Sequence, residues 1–175
     1  MGGLVLVDAT PEPVVDDAGV RAGYTLLGLL ATTLEAMSPV GVTRLLIERS
    51  IVIPERQELA RLLSVEEYRA WIADLCQTVA DGGARDELGA VIYVTKEVKC
   101  RRQNVVEPEF GDLPMRVLTS SAFGERWIEW QRQLAARSSN GVQRLTGTRS
   151  HNVHLRYPEL VVDAIDEVVG RAFPR

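Results

Sequence analysis

The chain has 175 residues, about one domain's worth, and 46% of them are apolar and 25% charged. This composition excludes disordered, collagen-like and low-complexity proteins. The formal net charge of −4 argues against nucleic-acid binding, which would require a basic face.

Cysteine content and hydropathy bear on where in the cell the protein is located. Cys76 and Cys100 are too few and too far apart for a disulfide framework or a metal site. No apolar run reaches the roughly 20 residues that span a bilayer, and the N-terminus lacks the pattern of a signal peptide. We therefore expect a cytoplasmic protein with no membrane span, no metal and no cofactor.

The first predicted element is a strand at residues 3–7. The sequence Gly-Leu-Val-Leu-Val is short, continuously apolar and partly β-branched, which is typical of a parallel strand covered on both faces. Pro11 and Pro13 follow it and stop any regular continuation. Since no other strand is predicted for a hundred residues, its neighbours lie far along the chain or outside it.

From residue 16 to about residue 104 the pattern is helical, with apolar residues at three- and four-residue steps. Pro54 is placed to open one helix. Ser64 and Glu67 have the spacing of a capping box that opens another, and Gly82-Gly83 ends it. We expect several helices and no strand in this block.

Strands and helices alternate after Pro108. Strands are predicted at 115–119 and 142–146, and helices at 125–136 and from Pro158 onwards. Such alternation with short loops indicates a parallel sheet with crossover helices. The predicted fold class is α/β, with three parallel strands and a large helical insertion: core residues 1–13, inserted residues 14–111 and core residues 112–175.

Both histidines of the chain, His151 and His154, follow the last predicted strand. Ligands and catalytic groups gather at the carboxyl ends of parallel strands, and a histidine there can act as a general acid or base near neutral pH. A structural histidine in a loop is the alternative.

Three segments resemble α/β-hydrolases. Residues 150–165, SHNVHLRYPELVVDAI, are similar to the family's carboxyl-terminal segment, in which the catalytic histidine leads a short loop before a helix opened by Pro-Glu. Residues 3–12 resemble the sixth strand, and residues 115–119 the seventh. The resemblance implies a partial α/β-hydrolase sheet with residues 14–111 as cap, or lid. It also implies an esterase-like hydrolase of a small acyl substrate, with His151 catalytic and His154 orienting or structural.

The chain departs from this family in its nucleophile. The family presents a serine in the pentapeptide G-x-S-x-G, which does not occur in this sequence. The resemblance therefore implies that the nucleophile and the oxyanion loop lie upstream of Met1, in a missing amino-terminal half that would be a partner. The alternatives are a non-catalytic truncated fragment and a helical interaction module.

The catalytic acid has two candidates in this sequence. Asp8 directly follows the predicted strand that resembles the sixth strand of the family. Some haloalkane dehalogenases of the family carry their acid at the end of that strand. Glu125 follows the segment that resembles the seventh strand, and most members of the family carry their catalytic acid after that strand. Each residue has a structural alternative, because Asp8 could form a turn and Glu125 could pair with a helix dipole. The third alternative is that neither residue is the acid.

An apolar substrate pocket is expected from the helical insertion. Tyr24, Leu27 and Trp71 are the residues proposed to line it. Packing in the core of the helices is the alternative for all three, since they recur at helical spacing.

Overall fold

The computed structural model describes residues 2–49, 56–102, 105 and 108–173. The fold is mixed α/β and contains a three-stranded parallel sheet. Its strands are β1 (Leu4–Val7), β2 (Met115–Thr119) and β3 (Gly141–Leu145). The α-helices are α1 (Ala18–Met37), α2 (Val42–Glu48), α3 (Arg56–Leu62), α4 (Val65–Ala80), α5 (Gly83–Arg101), α6 (Gly124–Ala135), α7 (Val153–Arg156) and α8 (Pro158–Ala172). The helix start predicted at Pro54 lies outside the described residues.

The sheet has the order β1-β2-β3, and both pairings are parallel. Leu4 pairs with Met115, which in turn pairs with Gly141. Every residue of the central strand β2 is buried, whereas the four residues of β1 are half-buried. The prediction of three neighbouring parallel strands is confirmed, with β3 beginning and ending one residue earlier than expected.

The chain divides into two compact units. Residues 1–13 and 99–175 form the sheet unit, and residues 14–98 form the helical unit. The sequence placed the end of the helical insertion at residue 111 instead. The difference arises because Arg102, at the end of the helical pattern, forms ion pairs with Glu12 and Glu109 of the sheet unit.

Apolar side chains hold α6 against one face of the sheet. Met115 and Val117 of β2 are fully buried together with Ala135 of α6. Leu4, Leu6 and Phe110 pack around them. This core fixes the positions at which β1 and β2 end.

The other face of the sheet carries α8 and an ion-pair network built around one buried arginine. Arg116 of β2 is fully buried and donates to Glu167 of α8. Arg144 of β3 and Arg171 of α8 form ion pairs with the same carboxylate. The hydrogen bond from Arg116 is the main reason that the pKa of Glu167 falls to about 2. The network ties α8 to the two strands β2 and β3.

The helical unit has a core of its own. Leu34, Ile47, Ile72 and Val79 are buried together where α1, α2 and α4 meet. The predicted capping box opens α4, since Ser64 Oγ accepts from the backbone N–H of Glu67 and the Glu67 carboxylate accepts from the backbone N–H of Ser64. These contacts show that the block folds as helices, as its periodicity predicted.

Among the described helices, no single one has the length and hydropathy needed to cross a membrane. The segments Ala18–Val40 and Val42–Glu48 together meet that test of length and composition, but the chain bends by 116° between them. Leu26 and Leu29 of α1 are exposed.

Replacement of Gly141 by alanine tests the close contact between β3 and α6. A Cβ at Gly141 would lie 1.9 Å from the carbonyl oxygen of Ala135, so backbone must shift. We expect Gly141→Ala to lower the free energy of unfolding by about 1–3 kcal/mol, measured by urea denaturation. Gly89→Ala is the control, because nothing lies within 4 Å of a Cβ there and alanine favours a helix interior. Equal stability of the two variants would contradict this packing.

Candidate functional site

Asp8 lies at the carboxyl end of β1 and is almost fully buried. Its backbone φ of 44° is in the left-handed region, which aspartate adopts more readily than most residues. The Asp8 N–H donates to the carbonyl of Leu118 at 2.8 Å, so the last rung of the β1–β2 ladder fixes the residue. The carboxylate thereby stays inside the sheet unit at the point where β1 ends.

The Asp8 carboxylate accepts four hydrogen bonds, two at each oxygen. Oδ1 accepts from the backbone N–H of Ser120 at 3.1 Å and from Nε1 of Trp127 at 2.8 Å. Oδ2 accepts from Oγ of Ser120 at 2.7 Å and contacts Nδ1 of His151 at 2.7 Å. The strand β2, the helix α6 and the histidine loop thus all converge on one buried carboxylate.

His151 reaches Asp8 from the loop that follows β3. Ser121 fastens this loop to the end of β2, because its N–H and Oγ both donate to the carbonyl of Thr148. The ring of Phe123 lies against the imidazole edge-on, with centroids 5.6 Å apart. The His151 side chain is thus held at Nδ1 by Asp8 and is 49% exposed.

Burial and hydrogen bonding act in opposite directions on the Asp8 carboxyl. Burial by itself would raise its pKa, because it penalises the charged form. Hydrogen bonds from His151, Ser120 and Trp127 stabilise the carboxylate more strongly and bring the pKa below its ordinary value of 3.8. Asp8 is therefore ionised at neutral pH.

An ionised carboxylate at Nδ1 determines the tautomer of a neutral imidazole. Because Asp8 Oδ2 can only accept, Nδ1 carries the hydrogen and Nε2 carries the lone pair. The carboxylate would also stabilise the imidazolium that forms when Nε2 takes a proton. The arrangement can therefore accept a proton at Nε2 and release it again.

The other residues proposed for this site lie elsewhere. Glu125 is exposed in the first turn of α6, where a negative charge stabilises the helix dipole. His154 is exposed on α7. Of the two candidate acids, the structure brings Asp8 to His151.

The three proposed pocket residues have different surroundings in the described part of the chain. Tyr24 lines a groove of about 410 Å³ with residues of α1 and α5, and Leu27 lines an apolar groove of about 130 Å³. Trp71 packs against the core of the helical unit, 5.9 Å from the ring of Tyr68. Trp71 thus packs in the core of the helical unit, which is the alternative that its helical spacing left open.

Sequence reasoning missed two residues of the site, Ser120 and Trp127. Ser120 directly follows β2, the strand beside β1. Its position at the carboxyl edge of the sheet could have identified it as a neighbour of Asp8. A buried tryptophan needs an acceptor for its N–H, and the nearest buried acceptor here is the Asp8 carboxylate.

The described residues contain no group of three or more His, Cys, Asp or Glu side chains that could hold a metal ion. Cys76 is half-buried and Cys100 is exposed, and both are free thiols. Burial raises the pKa of the Cys76 thiol, so this thiol is less reactive than an exposed one.

Comparisons with family models, with curated proteins and with solved structures give no significant match to this chain. The site is accordingly defined by its own geometry. Its defining contact is the hydrogen bond between Asp8 and His151.

Replacement of Asp8 by asparagine tests the role of the carboxylate in stability. We expect Asp8→Asn to cost about 1–3 kcal/mol near pH 6, because an amide group would face donors that now meet an acceptor. A lowered pKa stabilises the fold above the ordinary value of 3.8, and this stabilisation is lost as the pH falls through the lowered pKa. The difference between wild type and Asp8→Asn should therefore shrink below pH 4.

Urea midpoints measured from pH 3 to pH 7 check this expectation. Glu125→Gln is the matched control, since it also removes one carboxylate of the sheet unit but from an exposed position. The free energy of unfolding of Glu125→Gln should stay within about 0.5 kcal/mol of the wild-type value at each pH. A gap between wild type and Asp8→Asn that stays constant with pH would show that the charge of Asp8 does not matter.

Proposed function

We propose that this chain provides the histidine–aspartate pair of a serine-type hydrolase of the α/β-hydrolase family, acting on an ester or related acyl bond. One observation carries the proposal: the buried Asp8 Oδ2 lies 2.7 Å from Nδ1 of a half-exposed histidine. This pairing is the part of a catalytic triad that moves the proton.

The position of the pair in the sheet supports the same function. Asp8 follows β1 and His151 follows β3, so both lie beyond the carboxyl ends of parallel strands. Active sites of open α/β sheets form at that edge. Asp8 lies in residues 3–12 and His151 in residues 150–165, which are two of the segments that resemble the family.

In the proposed reaction His151 acts first as base and then as acid. Nε2 takes the proton of a serine hydroxyl while the serine oxygen bonds to the acyl carbon, and the carbonyl electron pair moves to the carbonyl oxygen. Asp8 stabilises the imidazolium. The carbonyl then re-forms, the bond to the leaving oxygen breaks, and Nε2 returns its proton to that oxygen. Water repeats the two steps and releases the acid.

The proposed nucleophile comes from polypeptide outside these 175 residues. The sequence contains no G-x-S-x-G, which is the motif that exposes a serine in this family. The serines at the end of β2 have other partners, because Ser120 Oγ donates to Asp8 and Ser121 Oγ donates to the Thr148 carbonyl. The proposed partner is therefore the amino-terminal half of such a hydrolase.

The helical unit is proposed as the lid of that enzyme, and its substrate as a small acyl compound. Two grooves within the unit, lined by Tyr24 and by Leu27 respectively, are large enough to take part of an apolar chain.

Hydrolysis of p-nitrophenyl butyrate tests the proposal in two forms of the protein. The first is the 175-residue chain alone, and the second is the same chain extended by the polypeptide encoded immediately upstream. We expect turnover in the extended form only. There His151→Ala and Asp8→Asn should lower kcat by about 10³–10⁴-fold.

His154→Ala and Glu125→Gln are the matched controls, and each should change kcat less than about threefold. Turnover in the extended form that does not depend on His151 would refute the catalytic role. Absence of turnover in both forms would favour the non-catalytic alternatives, a truncated fragment or a helical interaction module.

A further inference from the structure

A groove runs between α1 and α5 of the helical unit. Its volume of about 410 Å³ lies in the range of small-molecule sites, about 300–1,000 Å³. At one end Arg85 of α5 forms an ion pair with Glu35, near the end of α1. Arg21, near the start of α1, and Lys96 of α5 also line the groove. The two helices therefore run in opposite directions, and Arg21 and Lys96 share the other end.

The two ends of the groove differ in charge. They are about 16 Å apart, which is the rise of α5 from Arg85 to Lys96. Arg85 is compensated by the carboxylates of Glu35 and Asp86. Within the described residues the side chains of Arg21 and Lys96 have no ion pair or hydrogen bond, and the described residues that line the groove include no acid. This end is therefore positive in a chain of net charge −4, and it favours an anion.

Tyr24 adds a hydroxyl group at the positive end. It lies three residues from Arg21 on α1, so the two side chains are neighbours on the helix surface. The Tyr24 hydroxyl has no hydrogen-bond partner in the part of the chain that the structure describes. A guanidinium, an ammonium and a phenol can all donate, and an ionised carboxylate only accepts, at two oxygens. A carboxylate is therefore the group that this end matches.

The rest of the groove is apolar and open. Leu88 and Ile92 contribute side chains from α5, and Gly28 and Gly89 lie across from each other in the lining. A Cβ at either glycine would have nothing within 4 Å, so the protein does not fill this space itself. Leu88 also lines the apolar groove of about 130 Å³, so the two grooves adjoin. Together they offer an apolar path that begins at the positive end.

We propose that this groove binds a fatty acid as its carboxylate. The carboxylate accepts hydrogen bonds from Arg21, Lys96 and the Tyr24 hydroxyl. The aliphatic chain passes Gly28 and reaches the adjoining apolar groove at Leu88. One molecule with a charged head and an apolar chain thus satisfies both parts of the groove.

The polar groups along the groove favour an aliphatic chain over a peptide. A peptide would place backbone N–H and C=O groups in the apolar stretch, where each needs a hydrogen-bond partner. Thr25 and Thr32 line this stretch, but their hydroxyls already donate to carbonyls of α1. A fatty acid has no polar group beyond its head and needs no such partner.

The inference goes beyond the proposed function and does not rest on it. The groove lies within the helical unit, whereas Asp8 and His151 lie in the sheet unit. Its test measures binding instead of turnover, and no variant in it alters the pair. The two proposals can therefore fail separately.

Isothermal titration calorimetry of the purified 175-residue chain with laurate, kept below its critical micelle concentration, tests the site. We expect saturable binding of one laurate per chain. Acetate has the head group without the chain, and dodecyltrimethylammonium has the same chain with the opposite charge. Each should bind at least about tenfold more weakly than laurate, because it lacks one of the two sets of contacts.

Charge variants test the head-group end. The double variant Arg21→Gln with Lys96→Gln should raise the Kd for laurate about tenfold or more, since it removes two charge-assisted hydrogen bonds. The matched control is Arg61→Gln with Arg69→Gln, because it also removes two exposed cations of the helical unit, which lie outside this groove. The control should leave the Kd unchanged.

A filling variant tests the apolar stretch. Gly28→Leu should weaken laurate binding about tenfold or more, because its side chain occupies the groove. Gly23→Leu is the control, since Gly23 also lies in α1 with nothing within 4 Å of a Cβ but does not line the groove. Leucine favours a helix over glycine, and far-UV circular dichroism checks that all variants fold.

Backbone amide shifts on titration with laurate locate the site. They should change around Tyr24, Gly28 and Ile92 and stay constant around Asp8 and His151. Absence of laurate binding would overturn the proposal and leave the groove to a protein partner. Equal binding of dodecyltrimethylammonium, shifts that cluster outside α1 and α5, or controls that weaken binding as much as the groove variants would also overturn it.

Discussion

The candidate site depends on one buried negative charge. The Asp8 carboxylate has almost no contact with solvent, and a charge in that position is costly unless each oxygen is hydrogen-bonded. Donors from β2, α6 and the loop after β3 meet this requirement. The same contacts that make the charge tolerable therefore also fix the histidine.

A second buried charge holds the opposite face of the sheet. Arg116 lies beneath α8 and is compensated by Glu167, which also pairs with Arg144 and Arg171. Asp8 joins the carboxyl end of the sheet to α6, whereas Arg116 joins the sheet to α8. Both charges lie in or directly after a strand, so each depends on the register of the three-stranded sheet.

Much of the sheet unit could be predicted from local sequence. A continuous apolar run marked β1, and short segments bounded by turn residues marked β2 and β3. The position of Asp8 and His151 after two of these strands placed the residues at one edge. Trp127 was not predicted as a partner of Asp8, because its hydrogen bond depends on how α6 crosses the sheet. The boundary between the two compact units lies at residue 98, whereas periodicity placed the end of the helical insertion at residue 111.

The roles of the three residues proposed for a pocket depend on packing as well. An aromatic residue at helical spacing can face a core or a cavity, and spacing alone does not distinguish the two. In this fold Trp71 contributes to a core. Tyr24 and Leu27 line separate grooves.

The central claim is that an ionised Asp8 holds a proton on Nδ1 of His151 and leaves Nε2 basic. Nitrogen-15 NMR of the imidazole measures this directly in the 175-residue chain, since the two nitrogens have distinct shifts in each tautomer. The account predicts a Nδ1–H tautomer for His151 at pH 8, and a mixture of tautomers in Asp8→Asn. A predominant Nε2–H tautomer in the wild type, or a spectrum of His151 unchanged by Asp8→Asn, would contradict it.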